Sequence, residues 1–326
     1  MKKKTLIFLI THSIYSFSQN LYLTKRDYNN SSNYIHSLQK LSAIDGSVIS
    51  NSDYSTFFPN SYSPRSLTFN NQTNEIIGIS GNIITKKNVI TNNETSYFLP
   101  NISSINYYGL IIANNRLFLT KTDNSTTPET NYIEEINQSN GEVIISHVIT
   151  SNIPSYNRDL IYSNSTNEIF GLSGNIIYKY NIINNIESTY TLPAIANLEY
   201  DDIVIAENRL FVTTRDYSVS PNIISIRELN LLNCEIINTY NFNTNLQTYI
   251  DSLTFLADTH EICGISRLYL DGSFHYKIIK YNILNNIETS FDLPLQNSVD
   301  YDEIISTLNE QNLGLSNFNQ NQSSGL

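Results

Sequence analysis

The sequence is poor in the residue types on which catalytic and metal chemistry usually rests. Among 326 residues there are five histidines, two cysteines, one methionine and no tryptophan. The histidines, His12, His36, His147, His260 and His275, are scattered. No His-x-His, His-Glu-x-x-His, Gly-x-Ser-x-Gly or phosphate loop occurs, so the signatures of zinc peptidases, nucleophile-elbow hydrolases and P-loop enzymes are missing. No calcium loop of the Asp-x-Asp-x-Asp-Gly type is present. Charged residues make up 15% of the chain, well below the usual ~25%. Asn, Ser, Thr and Tyr supply the polar surface instead. Abundant Asn, Ile and Tyr with little Gly and Pro is what an AT-rich genome would encode, so the asparagines read as mutational bias rather than as ligands.

No run downstream of the N-terminus approaches a membrane span. The first residues read as a secretory leader: Lys2-Lys3-Lys4 as the basic region, Leu6 to Ile10 as the apolar core, and Ser16-Phe17-Ser18 as a small-x-small cleavage site before Gln19. This divides the chain into a signal peptide, residues 1–18, and a single domain, residues 19–326. The leader resembles that of exported bacterial proteins, which sets the expected location as periplasm, cell surface or medium. Its removal takes three lysines and moves the net charge from −11 to −14. An acidic exported protein is a poor partner for nucleic acid, whose phosphates would repel it.

What the sequence has is repetition. Asn74-Glu75-Ile76-Ile77-Gly78-Ile79-Ser80 returns as Asn167-Glu168-Ile169-Phe170-Gly171-Leu172-Ser173 and again as His260-Glu261-Ile262-Cys263-Gly264-Ile265-Ser266, at intervals of 93 residues. Between these lie Leu21 to Asp27, Leu117 to Asp123 and Leu210 to Asp216, which match one another. Each long repeat therefore holds two half-repeats of about 46 residues, the length of one four-stranded blade of a propeller. Within a half-repeat, short runs rich in Ile, Tyr, Val and Thr are broken by Asn and Gly and read as four strands, a to d from the axis outward. Few stretches show a helical period.

Six a strands are expected, beginning near Leu67, Leu110, Leu160, Ile203, Leu253 and Ile304. Leu21 to Thr24 reads as a b strand whose missing inner neighbour is Ile304 to Thr307, so that the two chain ends close the ring within one blade. The expected fold is all-β, a β-propeller of six four-stranded blades. A leftover element, Asn312 to Ser316, leaves seven blades as the alternative.

Leu38 to Ile49 and its repeat Glu135 to Ile144, each turning on Asp45-Gly46 or Asn140-Gly141, resemble the outer hairpin of quinoprotein-like, YVTN-type propellers. The resemblance implies the architecture alone and carries no active site. Without tryptophan, the Trp-Asp dipeptide of WD40 repeats and the Asp-box tryptophan of sialidases are absent.

Several constellations stand out. Gly78, Gly171 and Gly264 share one strand-b position, which implies close approach of another backbone. Cys263 sits mid-strand and Cys234 at an outer turn, so both are expected as unpaired structural thiols. A tyrosine precedes every a strand: Tyr62, Tyr107, Tyr156, Tyr200, Tyr249 and Tyr301. Such rings on one rim can wedge between blades or stack on a ligand. Carboxylates gather in the same loops, with Asp202, Asp251, Asp302 and Glu303 as candidate ligands of calcium or another divalent cation, although no cofactor is required. Thr24, Thr120 and Thr213, with Asp27, Asp123 and Asp216, precede the long b–c loops. One departure from symmetry is marked: Arg267 to Lys277 extends a hairpin that turns tightly in its sister repeats, and it carries Tyr269, Phe274 and His275.

The first functional reading is an exported binding module that engages a glycan or a protein through Tyr107, Tyr156, Tyr200, Tyr249, Tyr301, Tyr269 and His275. The alternative is a hydrolase, lyase or lactonase with a metal at the channel mouth. A scaffold part of an envelope complex is a third.

Overall fold

The computed structural model describes residues 19–28, 34–56, 58, 64–150, 159–220, 222–242, 250–270, 273–295 and 298–307. These form 24 strands in six four-stranded antiparallel sheets, and no helix occurs among the described residues. Blade I joins the chain ends: β24 (Val299–Thr307) is innermost, followed outward by β1 (Asn20–Asp27), β2 (Ile35–Ser42) and β3 (Val48–Asp53). The other blades run outward in chain order. Blade II is β4 (Arg65–Asn70), β5 (Glu75–Ser80), β6 (Ile83–Asn88) and β7 (Glu94–Phe98). Blade III is β8 (Ile105–Ala113), β9 (Arg116–Asp123), β10 (Thr130–Ile136) and β11 (Val143–Ile149). Blade IV is β12 (Leu160–Ser163), β13 (Glu168–Ser173), β14 (Ile176–Asn181) and β15 (Glu187–Thr191). Blade V is β16 (Leu198–Ala206), β17 (Arg209–Asp216), β18 (Ile223–Leu229) and β19 (Ile236–Asn241). Blade VI is β20 (Ile250–Leu256), β21 (Glu261–Leu270), β22 (Ser273–Asn282) and β23 (Glu288–Asp292).

The inner strands touch in the cyclic order β24, β4, β8, β12, β16, β20 and back to β24. The protein is a six-bladed β-propeller. The expected closure is present, with Leu23 opposite Ile304 and Tyr22 opposite Ile305. Residues 312–316, the basis of the seventh-blade alternative, lie outside the described part.

Burial explains the composition of the strands. The b and c strands are covered on both sides by neighbouring sheets, so β5 and β13 run Ile-Ile-Gly-Ile and Ile-Phe-Gly-Leu without a polar interruption. The outermost strands β7, β15 and β23 are largely exposed and are rich in Thr and Ser. Gly78 is crowded by side chains rather than by the expected backbone: a Cβ there would sit 2.7 Å from the Pro64 Cβ and 2.8 Å from Leu67 Cδ2. Gly46 and Gly141 turn the outer hairpins at φ +72° and +76°.

The asparagines have a structural use that composition does not reveal. Asn74 and Asn167 share positive φ with His260 at one turn position, and Asn92, Asn185 and Asn286 do so at another. Asn88, Asn181 and Asn282 each open an outer turn by accepting hydrogen bonds from backbone N–H groups two or three residues on, at 2.8–3.3 Å. Asparagine both tolerates the left-handed conformation and replaces a backbone acceptor, so turn chemistry retains it whatever the base composition.

Charged latches cross the blade seams. Arg116 donates to the Ile182 carbonyl (3.1 Å), Lys179 to Leu232 (2.9 Å), Arg209 to Ile283 (3.3 Å) and Lys280 to Ala43 (3.0 Å). These bonds join blades III–IV, IV–V, V–VI and VI–I in succession. Each cation also pairs with a carboxylate of its own blade, Glu135, Glu168, Glu228 or Glu261. Lys280→Met therefore strands a half-buried Glu261 and removes a donor from the closing seam. We expect it to cost about 3 kcal/mol, read as a lower urea midpoint at unchanged slope. Lys277→Met, which removes an exposed pair with Asp292 (40% and 75% exposed), should stay within about 0.5 kcal/mol. Equal effects of the two substitutions would refute the latch.

Both cysteines are free and buried, as the strand positions imply. Burial raises both thiols, Cys234 to about 11. They are therefore poor nucleophiles.

Candidate functional site

The inner strands begin with an irregularity that positions everything around the channel mouth. In five blades the a–b register slips by one residue: between Arg65 and Thr68, Tyr107 and Leu110, Tyr200 and Ile203, Asp251 and Thr254, and opposite Leu23/Lys25 in β24. The slip frees backbone N–H groups, and threonine side chains receive them. Gly109 N donates to the Thr120 hydroxyl (2.8 Å), Asp202 N to Thr213 (3.1 Å) and Glu303 N to Thr24 (2.9 Å). The three recurring threonines are thus scaffold. Asp123 and Asp216 accept from the backbone N–H of Ser125 and Ser218 in their own loops, both at 2.8 Å.

Residues inside three of these slips link to the next blade. Ser66 accepts from Leu110 N (2.7 Å) and Ser252 from Ile304 N (2.8 Å). Asp202 does the same with a carboxylate: Oδ2 accepts from Leu253 N (2.5 Å), and Oδ1 accepts from Ile203 N (2.6 Å). Asp202 is buried, with one oxygen engaged across the V–VI seam and the other by its own blade. Glu303 accepts from the Ser252 hydroxyl at 2.8 Å. Burial, with the charges of Asp159 and Asp302 nearby, pushes its carboxyl up to about 7 against the pull of Ser252 and Arg65. Beyond these groups the channel widens into a cavity of about 630 Å³ with mixed walls, Leu67, Ile111 and Val204 alternating with Thr68, Asn115 and Thr254. The side chain of Asp251 lies outside the described part. Among the described residues, no three His, Cys, Asp or Glu side chains are placed to hold one metal ion.

The expected tyrosine ring divides. Tyr107 and Tyr200 donate to the carbonyls of Pro100 and Pro193, both at 3.0 Å, and so pin the loop entering their own blade. Tyr301 is buried edge-on against Tyr276, with centroids 5.2 Å apart. Tyr62, Tyr156 and Tyr249 lie outside the described residues, as does the side chain of Tyr269.

The two features that break the threefold pattern come together. The β21–β22 hairpin is paired as far as Leu270↔Ser273, four residue pairs beyond the ends of β5–β6 and β13–β14. The extension carries Tyr276 to the acidic run, where its hydroxyl donates to Asp300 Oδ1 at 2.7 Å. Arg26 reaches Asp300 Oδ2 at 2.5 Å, and Tyr28 donates to Oδ1 at 3.2 Å. Phe274, 41% exposed, lies beside Tyr276 and under the Arg267 guanidinium at 5.2 Å. His275 alternates to the other face of the hairpin from Phe274 and Tyr276. Aromatic contacts continue across blade I through Tyr28 and Tyr34, then to His36, which burial and Arg26 hold down at about 4.

Blade V repeats this arrangement. Arg215 pairs with Glu199 (2.7 Å) and Asp201 (3.2 Å), and the Tyr217 hydroxyl bonds Glu199. Blades V and I flank blade VI, so the two clusters and the long hairpin share one face. Sequence reasoning missed Arg26, Tyr28, Arg215, Tyr217 and Tyr276. A signal existed in the comparison of Lys25-Arg26-Asp27-Tyr28 with Thr214-Arg215-Asp216-Tyr217, which Lys121-Thr122-Asp123-Asn124 does not follow.

No family model and no curated protein sequence matches the chain. Solved structures do resemble it. A chain of the nidogen/laminin complex superposes with a TM-score of 0.59 at 10% identity, covering 89% of this chain and 99% of that one. The β-propeller domain of Myceliophteria thermophila Cps50 (Swd1) gives a TM-score of 0.48 at 8% identity, over 84% and 98%. At this identity the likeness shows the propeller fold alone.

Proposed function

We propose that this protein is an exported binding module that engages a glycan or protein ligand on the face formed by blades V, VI and I. The observation that carries this reading is the Tyr276–Asp300 contact. It joins the hairpin unique to blade VI to the acidic run that opens β24, and it places exposed Phe274 beside both. Residues shared by all copies serve the ring, whereas these depart from the repeat and still form an ordered, partly exposed surface. Binding is also what a rigid scaffold with one specialised rim supports best. The leader, residues 1–18, would direct the chain out of the cytoplasm.

Glycan and peptide arrays probed with the purified chain and with a Phe274→Ala, Tyr28→Ala variant test this reading. A ligand held by the parent and lost by the variant, whose thermal transition should be unchanged, is the expected result. A ligand bound equally by both places recognition elsewhere. The alternative, a metal-dependent hydrolase, lyase or lactonase using Asp251, Asp302 and Glu303, draws on the raised Glu303 carboxyl. It predicts a stoichiometric divalent ion in the purified protein that Glu303→Gln releases.

A further inference from the structure

Building on that binding face, we propose that it carries two equivalent subsites, one in blade V and one in blade I, that hold sugar units of a single neutral glycan chain at two points across the long hairpin. The subsites correspond position by position: Glu199 with Asp300, Asp201 with Asp302, Arg215 with Arg26, and Tyr217 with Tyr28. Blade III is the third member of the same series, and it holds Asn106, Tyr108, Thr122 and Asn124 there. It builds the same sheet without the set. This set of three charged residues and a tyrosine is therefore no requirement of the blade, and its retention in two copies calls for a use.

The chemistry points to the class of ligand. In blade V the guanidinium of Arg215 lies 4.7 Å from the Tyr217 ring centroid, and the tyrosine hydroxyl is tied to Glu199. The ring, 39% exposed, thus offers a fixed flat face rather than a free hydroxyl. In blade I Arg26 sits 6.0 Å from the Tyr28 ring, whose hydroxyl is tied to Asp300. In each cluster, one carboxylate oxygen of the acid that precedes the register slip's second residue is buried with no hydrogen-bond partner among the described residues. It is the same atom in both copies, Asp201 Oδ2 and Asp302 Oδ2. The Asp201 side chain is only 9% exposed. Such an acceptor calls for a donor. An anionic ligand would face two carboxylates per subsite, and a cationic one would meet an arginine already in place. A neutral ligand with hydroxyl donors on its edge and C–H groups on its face fits both the acceptor and the ring, and a pyranose has that form. Two such subsites on either side of blade VI, with Phe274 exposed between them, suit a ligand that is itself a repeat.

The test uses immobilised neutral glucan, mannan and xylan oligosaccharides, each as a chain-length series, with the purified chain as analyte. One series should bind, and its affinity should rise by about 10²-fold once the chain is long enough to bridge both subsites. Tyr217→Ala and Tyr28→Ala should each return the long member to the affinity of the short one. Tyr217→Phe, which keeps the ring, should bind as the parent does. The inference is overturned if none of the three series binds, if affinity is independent of chain length, or if Tyr217→Ala leaves the long member unchanged. A peptide ligand lost on Phe274→Ala but indifferent to Tyr217→Ala would overturn the two glycan subsites and leave the binding face standing. Loss of every ligand class would remove both.

Discussion

A chain ending at Ser298 is expected to lose the propeller entirely. The missing strand, β24, is the inner strand of blade I although it comes last in the sequence. It pairs with β1 from Asn20↔Thr307 to Asp27↔Val299 and touches the inner strands β20 and β4 on either side. Val299, Tyr301, Ile304 and Ile305 are buried. Ile304 N and Ser306 N donate to Ser252 (2.8 Å) and Thr254 (2.9 Å) of blade VI. At roughly 1.5–3 kcal/mol per large apolar side chain, the burial alone is worth about 6–12 kcal/mol, of the order of the whole stability of a typical domain. Removal also opens an inner edge on β1 and leaves two neighbours facing a gap, so partial folding would expose sheet edges that aggregate. The truncated chain should elute as aggregate or expanded monomer without a cooperative thermal transition. A synthetic peptide spanning residues 298–326 should restore part of that transition when added during refolding. A truncated chain that stays monomeric and melts cooperatively near the parental temperature would show that the ring does not depend on its closing strand.

Glu303→Gln should stabilise the protein at alkaline pH and leave it unchanged in mild acid. The Glu303 carboxyl titrates at about 7 when folded, against 4.5 for the free side chain, because its site is buried and faces Asp159 and Asp302. Between those values the folded chain holds a proton that the unfolded chain has released, so stability falls as pH rises through this window. Below 4.5 both states are protonated, and the group contributes no pH dependence. Above 7 the full penalty is present, about 2–3 kcal/mol once channel water is allowed for. Glutamine keeps the shape and a partner for Ser252 without the charge. The difference between variant and parent should therefore be near zero at pH 4 and reach that value at pH 8, in urea titrations run at both. Carboxylates held low by their partners, such as Glu228 beside Arg209, have the opposite pH dependence but cancel in the comparison. A difference that is the same at both pH values would mean that Glu303 is ionised in the folded protein throughout.

Much of this architecture is legible in the sequence because it depends on local spacing. The 93-residue interval, the six inner strands and the closure of the first b strand by Ile304 to Thr307 follow from strand length and the need to leave no sheet incomplete, although β8, β16 and β24 begin five residues ahead of the expected Leu110, Ile203 and Ile304. The site is less legible because its members meet only after the ring has closed. Arg26 and Asp300 lie 274 residues apart and share a blade solely through that closure. Tyr276 reaches Asp300 because four extra residue pairs lift it there, which the length of the hairpin hints at without naming the contact. Asp202 shows the reverse difficulty. In sequence it is one of several exposed-looking acids before a strand, yet the register slip turns it inward, where backbone amides take both oxygens. The recurring tyrosines could have served packing or ligand, and the proline carbonyls that receive Tyr107 and Tyr200 lie seven residues earlier, within reach only once the loop is folded.

The position of the closing strand also bears on how such a molecule could grow. Asn20 lies opposite Thr307, so the chain is nearly a circle with its single break inside a blade rather than between blades. A break between blades would be sealed by side chains alone, and any change in ring size would have to redesign that contact. Here the seal is a backbone ladder between β1 and β24, which flank all the other strands. Copies of the 93-residue unit could be gained or lost between them without disturbing it. By the same geometry a short linker from Thr307 to Asn20 would permit circular permutation, with new ends opened at an outer turn.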